Sequence, residues 1–164
     1  MTPPVRMILG SALLFAAAVV PGLGQNTGAK VVPKLQPIAE TKLLMEGLAN
    51  PNFRGLERNL SKNPIDDQTW TYARGQALLI AECANLLMLR PPKGTQSQPT
   101  WFQETMDLRT QATRLAQSIA KKDLASAKAG MQNLARSCNR CHQSFRVPVD
   151  IVPFQPVPPP VRKI

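Results

Sequence analysis

The chain is poor in aromatic residues, with two Trp, one Tyr and five Phe among 164 residues. No stretch alternates apolar and polar residues over the length of a strand. Both lacks argue against a sheet, because strands draw on aromatic and β-branched side chains in a two-residue period. Leucine and alanine supply much of the apolar content, and both favour helix. An all-α protein is therefore expected. Histidine occurs once and cysteine three times. With no second imidazole, no acid–base pair in sequence context and no nucleophile motif, an enzyme is not expected. Acidic residues are half as many as basic ones, ten against 20, for a net charge of +10. Even so, the longest purely basic run is Lys121-Lys122, and no basic stripe is interleaved with aromatics. Nucleic acid is thus not an expected partner. No internal repeat is evident.

Long hydrophobic runs are also lacking. The longest, Met7 to Val20, has 14 residues, short of the ~20 needed to span a bilayer. Arg6 precedes it, Pro21 breaks it, and the small residues Gly22 and Gly24 suit a cleavage site before Gln25. Residues 1–24 therefore read as a secretory signal, and the mature chain is expected outside the cytoplasm, periplasmic or otherwise exported. No cysteine stands at the cleavage site, which argues against a lipid anchor, and no stable membrane insertion is expected after cleavage. Nineteen of the 20 basic residues and all ten acidic ones lie beyond Gly24, leaving a charge of +9. Such a surface suits acidic protein partners.

Four helices are expected after a flexible entry segment, residues 25–36. The first should start near Pro37, a residue suited to a first helical position. It carries Ile38, Met45 and Leu48 on one face with Leu44 beside them, and Asn50-Pro51 should interrupt or kink it. Phe53, Leu56 and Leu60 extend its spacing. The second helix has Asp66 or Asp67 as N-cap and the stripe Trp70, Ala73, Ala77, Ile80, Ala84 and Leu87. Arg90-Pro91-Pro92 should stop it. The third opens on Thr100-Trp101-Phe102-Gln103, which matches a capping box. Its stripe is Trp101, Thr105, Leu108, Ala112, Leu115 and Ile119. The fourth, capped by Asp123, carries Leu124, Ala127, Met131, Leu134, Cys138, Cys141 and Phe145. Stripes in steps of three and four, joined by short loops, predict an antiparallel four-helix bundle over residues 37–147, with crossings of about 20°. Residues 148–164 form a proline-rich tail. Six of the 18 residues from Val147 to Ile164 are proline, so this end should be extended or polyproline-like. It can pack along the bundle or stand in solvent, with solvent slightly favoured over a docking role.

Near the end of the fourth helix stands Cys138-Asn139-Arg140-Cys141-His142. This is the spacing of covalent c-type haem attachment. Residues three apart share a helix face, so Cys138 and Cys141 can both reach the vinyl groups on one edge of a porphyrin. His142 comes next, placed to bind the iron. Three other readings compete. A Cys138–Cys141 disulfide would put a tight bridge inside a helix. A redox dithiol normally sits at a helix N-terminus, where the dipole lowers thiol pKa, and this pair is at the other end. Structural zinc wants four ligands, and only Cys83 remains as a fourth. One covalent haem c is the expected cofactor. Cys83 lies one position off the second stripe and reads as a small buried residue with a quiet thiol.

The late Cys-x-x-Cys-His and the continuation Gln143-Ser144-Phe145-Arg146 resemble the class II c-type cytochromes, the cytochrome c-prime family. Class I cytochromes usually carry the haem motif early and a Met ligand well downstream, whereas no Met occurs after His142. The resemblance covers roughly residues 35–147. It implies a bundle with the haem near the C-terminus of the fourth helix, thioethers at Cys138 and Cys141, His142 as the proximal ligand, and Arg146 near the haem edge, where it could pair with a propionate or stand as a solvated cation. The sixth iron position would face the first helix, empty behind an apolar side chain in some members and filled by Met in others. Met45 is the first candidate for a distal ligand, ahead of Met88, Met106 and Met131. Thr41 stands where the family often has an Arg one turn before that position. With Met bound, one-electron transfer is implied. With the position open, binding or sensing of nitric oxide or carbon monoxide is implied. A haemless helical module presenting the proline tail is a third reading. Acidic redox proteins are expected partners, and a homodimer is a further expectation from the resemblance.

Overall fold

The computed structural model describes residues 34–62 and 66–155. The expected signal segment, residues 1–24, lies outside the described residues, as do nearly all of 25–36 and the tail from residue 156 on. The regular elements among the described residues are all helical: α1 (Thr41–Leu44), a π-helical segment (Met45–Ala49), α2 (Asn50–Ser61), α3 (Asp67–Met88), a 3₁₀ turn (Thr95–Ser97), α4 (Gln98–Ala120) and α5 (Leu124–Ser144). The first three pieces run on as one rod, because the backbone is α-helical at both junctions. Four rods joined by short connections make an all-α four-helix bundle. No helix among the described residues is long and apolar enough to cross a membrane.

The first rod departs from expectation at both ends of its first half. It starts at Thr41 rather than near Pro37. Glu40 is extended, at φ −66° and ψ 155°, and the Ala39 carbonyl accepts a hydrogen bond from Arg90 Nε at 2.8 Å. A side chain just beyond α3 thus engages the backbone ahead of the first turn. Ile38 falls outside the helix and is 90% exposed, so it does not share a buried face with Met45 and Leu48. Leu44 is the buried residue here, while Met45 and Leu48 are half-buried. Further on, Asn50-Pro51 does not interrupt the helix. A proline inside a helix lacks the N–H that would bond four residues back. Here Asn50 N–H bonds five back, to the Met45 carbonyl. The wider turn brings Pro51 into the opening turn of α2. Asn52 Nδ2 donates to the Leu48 carbonyl at 2.7 Å.

The other rods keep to their stripes. Asp66 caps α3 by accepting from Thr69 N–H at 2.6 Å, and Asp123 caps α5 by accepting from Ser126 N–H at 3.0 Å. All six stripe residues of α3 are buried, and so are all six of α4. The start of α4 differs from expectation. The 3₁₀ turn leads straight into a helix whose first turn holds Pro99, so Thr100 is already helical and cannot serve as N-cap of a box with Gln103. The α4–α5 turn is tight because Lys122 adopts a left-handed backbone, φ 56°.

Leu56, Leu60, Ile80, Leu115, Ile119, Met131 and Leu134 are sealed from solvent and define the core. The closest associations are α3 with α4 and α4 with α5. The α2–α5 seam is far sparser. The first part of the tail, residues 147–155, lies beside that seam, the packed one of the two arrangements open to it. Asn139 on α5 donates to the Ile151 carbonyl at 2.9 Å and accepts from Ile151 N–H at 2.8 Å. Phe154 N–H donates to Glu57 Oε1 on α2 at 2.8 Å, and Lys128 Nζ stands 5.9 Å from the Phe154 ring centroid. Pro153 is buried, and Ile151 and Phe154 pack on the core. An extended segment can dock this way because these partners take up its backbone polar groups.

Ile119, fully buried on α4, gives a direct test of the packing. Ile119→Ala is expected to cost about 2–5 kcal/mol, read as a fall in the denaturant midpoint at unchanged slope. The caps set an acid limb. Hydrogen bonds from Thr69 to Asp66 and from Ser126 to Asp123 hold both carboxyls below the usual carboxylate range. Their contribution is present above that range and is lost as pH falls through the lowered values. Asp66→Asn and Asp123→Asn, which keep a capping acceptor, are expected to fold normally at neutral pH and to show a flatter loss of thermal stability on acidification.

Candidate functional site

The chemistry-bearing residues gather on the last turns of α5. Cys138 and Cys141 are half-buried and free, three residues apart, and His142 stands next to the second, also half-buried. This end of a helix normally frays, since its last four carbonyls have no intrahelical partner. Here it is closed. Phe145 N–H bonds to the Cys141 carbonyl at 3.1 Å, Arg146 N–H to Gln143 at 3.2 Å and Val147 N–H to His142 at 2.8 Å. Arg146 itself is left-handed, φ 56°. The last two bonds and this φ make a Schellman turn, a motif that usually places glycine at the left-handed position. Arg146 therefore has a backbone task that sequence reasoning misses. The signal available is Pro148 just beyond the helix. The exposed Arg146 guanidinium makes no hydrogen bond or ion pair among the described residues.

Two further contacts hold this end against α4. Phe145 meets Trp101 edge-on, with ring centroids 5.2 Å apart at 81°, and Trp101 Nε1 donates to the Leu87 carbonyl at 2.9 Å. Arg140, between the two cysteines, pairs with Asp107 and places Nε 3.4 Å from Glu104 Oε2. Reasoning from the sequence singles out neither Arg140 nor Asn139, because their partners are distant along the chain.

His142 is held by its own tail. Its Nδ1 lies 3.2 Å from the Val149 carbonyl oxygen. A carbonyl can only accept, so a hydrogen bond here requires the proton on Nδ1, the tautomer that leaves Nε2 bare.

The first rod comes close to this end of α5 through Cys83. Cys83 is fully buried on α3, with its Sγ 4.0 Å from the Leu44 carbonyl oxygen. It is also near enough to Cys138 to raise that thiol's pKa. The Leu44–Met45 turn and the Cys-x-x-Cys segment are thus brought to the same neighbourhood. Among the alternative methionines, Met131 is fully buried in the core on α5 itself, and Met106 is 47% exposed. Met88 is half-buried near the end of α3.

The thiols are protonated and quiet. Burial pushes Cys138 up to about 12, helped by the Cys141 and Cys83 thiols. Burial pushes Cys141 up to about 11, with the Glu104 carboxylate adding to it and Arg140 opposing. Cys83 is raised to about 11 by burial. This is the reverse of the lowered pKa that a reactive dithiol needs. Among the described residues, no three or more His, Cys, Asp or Glu side chains converge into a cage for a bare ion. Two thiols spread along a helix face with an imidazole beside them suit a macrocycle instead, because it is gripped at separate points.

A four-helix bundle whose last helix ends in Cys-x-x-Cys-His has the architecture of a helical-bundle haem c protein. The family described as Cytochrome C' matches residues 92–146, which span all of α4 and α5 and the turn at Arg146. The match covers α4 and α5 and not the first two rods, so it is this half of the bundle that is similar to that family. No curated protein matches the chain.

In the haem-free chain, alkylation of the three cysteines by iodoacetamide is expected to be slow at pH values where an exposed cysteine reacts readily. The rate should keep climbing toward pH 11, near the raised values. Fast alkylation of Cys138 or Cys141 near neutral pH would contradict the buried, protonated state.

Proposed function

We propose that the chain is an exported monohaem c-type cytochrome that transfers one electron at a time. The observation that carries this reading is the pair of free thiols one helical turn apart at the closed end of α5, with an imidazole immediately after them whose Nδ1 faces the Val149 carbonyl. Cys138 and Cys141 would hold the haem through thioethers, and His142 Nε2 would bind its iron. The bound group supplies a one-electron couple, which Met45 as distal ligand would set at higher potential. Phe145 and Trp101 wall off part of the site with apolar surface. No substrate turnover is proposed. The +9 mature chain steers acidic redox proteins toward it. Residues 1–24 direct export and are removed. A homodimer is part of the same proposal, and nucleic acid is not.

A second reading has its own support. Leu44, not Met45, is the residue of this turn that the bundle buries, at 7% exposure. If Leu44 covers the distal face, the iron is five-coordinate and the protein binds nitric oxide or carbon monoxide.

Expression in a host competent for cytochrome maturation tests both. The expected product is coloured, begins at Gln25, and retains one haem in mass after denaturation. Cys138→Ser with Cys141→Ser is expected to lose the covalent haem, and His142→Ala to lose its wild-type spectrum. A low-spin spectrum that turns high-spin in Met45→Ala supports the carrier. A high-spin wild type with ready carbon monoxide uptake supports the binder. A colourless product with the mass of the bare polypeptide would overturn both.

A further inference from the structure

The family match ends at Arg146, and the residues just beyond it are the ones that touch His142. We propose that residues 147–155 are a clamp that sets the orientation and donor strength of the His142 ring through the Val149 carbonyl. This inference rests on the cytochrome reading above and adds to it a positioning element. The carbonyl can act this way because it is fixed from both directions. Upstream, the Schellman turn at Arg146 reverses the chain, and Val149 N–H bonds to the Val147 carbonyl at 2.8 Å across Pro148. Downstream, the two hydrogen bonds between Asn139 and Ile151 pin the chain two residues away. The Phe154–Glu57 bond then ties it to α2. Ile151 and Phe154 pack on the core. A carbonyl held this firmly is an acceptor at a fixed place.

The chemical effect comes from the acceptor. An imidazole that donates Nδ1–H to a backbone carbonyl is locked in the tautomer whose Nε2 is bare, and it becomes a stronger donor to a metal. The residues that set this donor strength are then not ligands. They are Asn139 and Glu57, which act through the tail. A stronger proximal donor favours the oxidised iron, so releasing the clamp raises the reduction potential.

Two measurements test the clamp separately from the cytochrome reading. In the full chain carrying Cys138→Ser and Cys141→Ser, imidazole ¹⁵N spectra at mildly alkaline pH are expected to show Nδ1 protonated. Adding Asn139→Ala or Glu57→Ala should shift the ring toward the Nε2–H tautomer. In the haem-loaded protein, Asn139→Ala and Glu57→Ala are expected to raise the reduction potential. Glu57→Gln, whose amide oxygen still accepts from Phe154 N–H, should stay near wild type. Because Glu57 lies on α2, away from the Cys-x-x-Cys segment, its effect does not depend on haem attachment being disturbed. A wild-type ring in the Nε2–H form, or a potential unchanged in both alanine variants, overturns the clamp. A colourless wild type whose ring is nonetheless in the Nδ1–H form would fault the cytochrome reading and leave the clamp standing.

Discussion

A helix is held least well at its last turn, and the three residues that matter most here occupy that turn and the one before it. The remaining backbone carbonyls at such an end have no helical partner, so the geometry of Cys138, Cys141 and His142 depends on something outside the helix. The Schellman closure at Arg146 supplies it, together with the edge contact of Phe145 on Trp101 and the double hydrogen bond from Asn139 to the returning chain. Each comes from a different direction: the backbone itself, α4 and the tail. Together they convert a fraying end into a rigid platform. Covalent attachment at two sulfurs would lose its directional value on a mobile strand.

The opposite wall is less regular, and the irregularity has a traceable cause. Pro51 cannot donate four residues back, and the helix responds with a π turn over Met45–Ala49 rather than a break. That turn rotates α2 about the rod axis relative to α1. Leu44, just before it, lies in the core, while Met45 and Leu48 within it stay at the core's edge. The backbone around Met45 is therefore shaped by a proline six residues downstream of it.

Local chemistry is what could be read from the sequence. The α3 and α4 stripes, the Asp66 and Asp123 caps and the Cys-x-x-Cys-His spacing each depend on residues within a few positions, and helical pitch alone decides their placement. The failures share a different character. The first rod starts late because Arg90, 51 residues away, takes the Ala39 carbonyl. Thr100 does not cap because Pro99 and a 3₁₀ turn have already begun the helix. The tail docks because Asn139 and Glu57, 12 and 97 residues from their partners, satisfy its backbone. Within the candidate site the same division holds. Its three central residues form one contiguous motif, while the acceptor on His142 lies seven residues on, across a reversal that a left-handed Arg made hard to foresee.

Composition invites the view that a proline-rich end is a spacer, since proline removes donors and resists regular pairing. The arrangement here shows how such a segment serves a helical bundle better than a fifth helix would. A helix satisfies its own backbone and presents side chains. An extended segment offers its carbonyls and N–H groups outward, one residue at a time. Laid along the sparse seam between α2 and α5, it exchanges those groups with Asn139 and Glu57 and keeps one carbonyl, that of Val149, for His142. The prolines limit the conformations open to the free segment, which lowers the entropy lost on docking. The seam and the histidine are thus served by a single strand of backbone. Any change that loosens the strand at Glu57 should be felt at the ring near its other end.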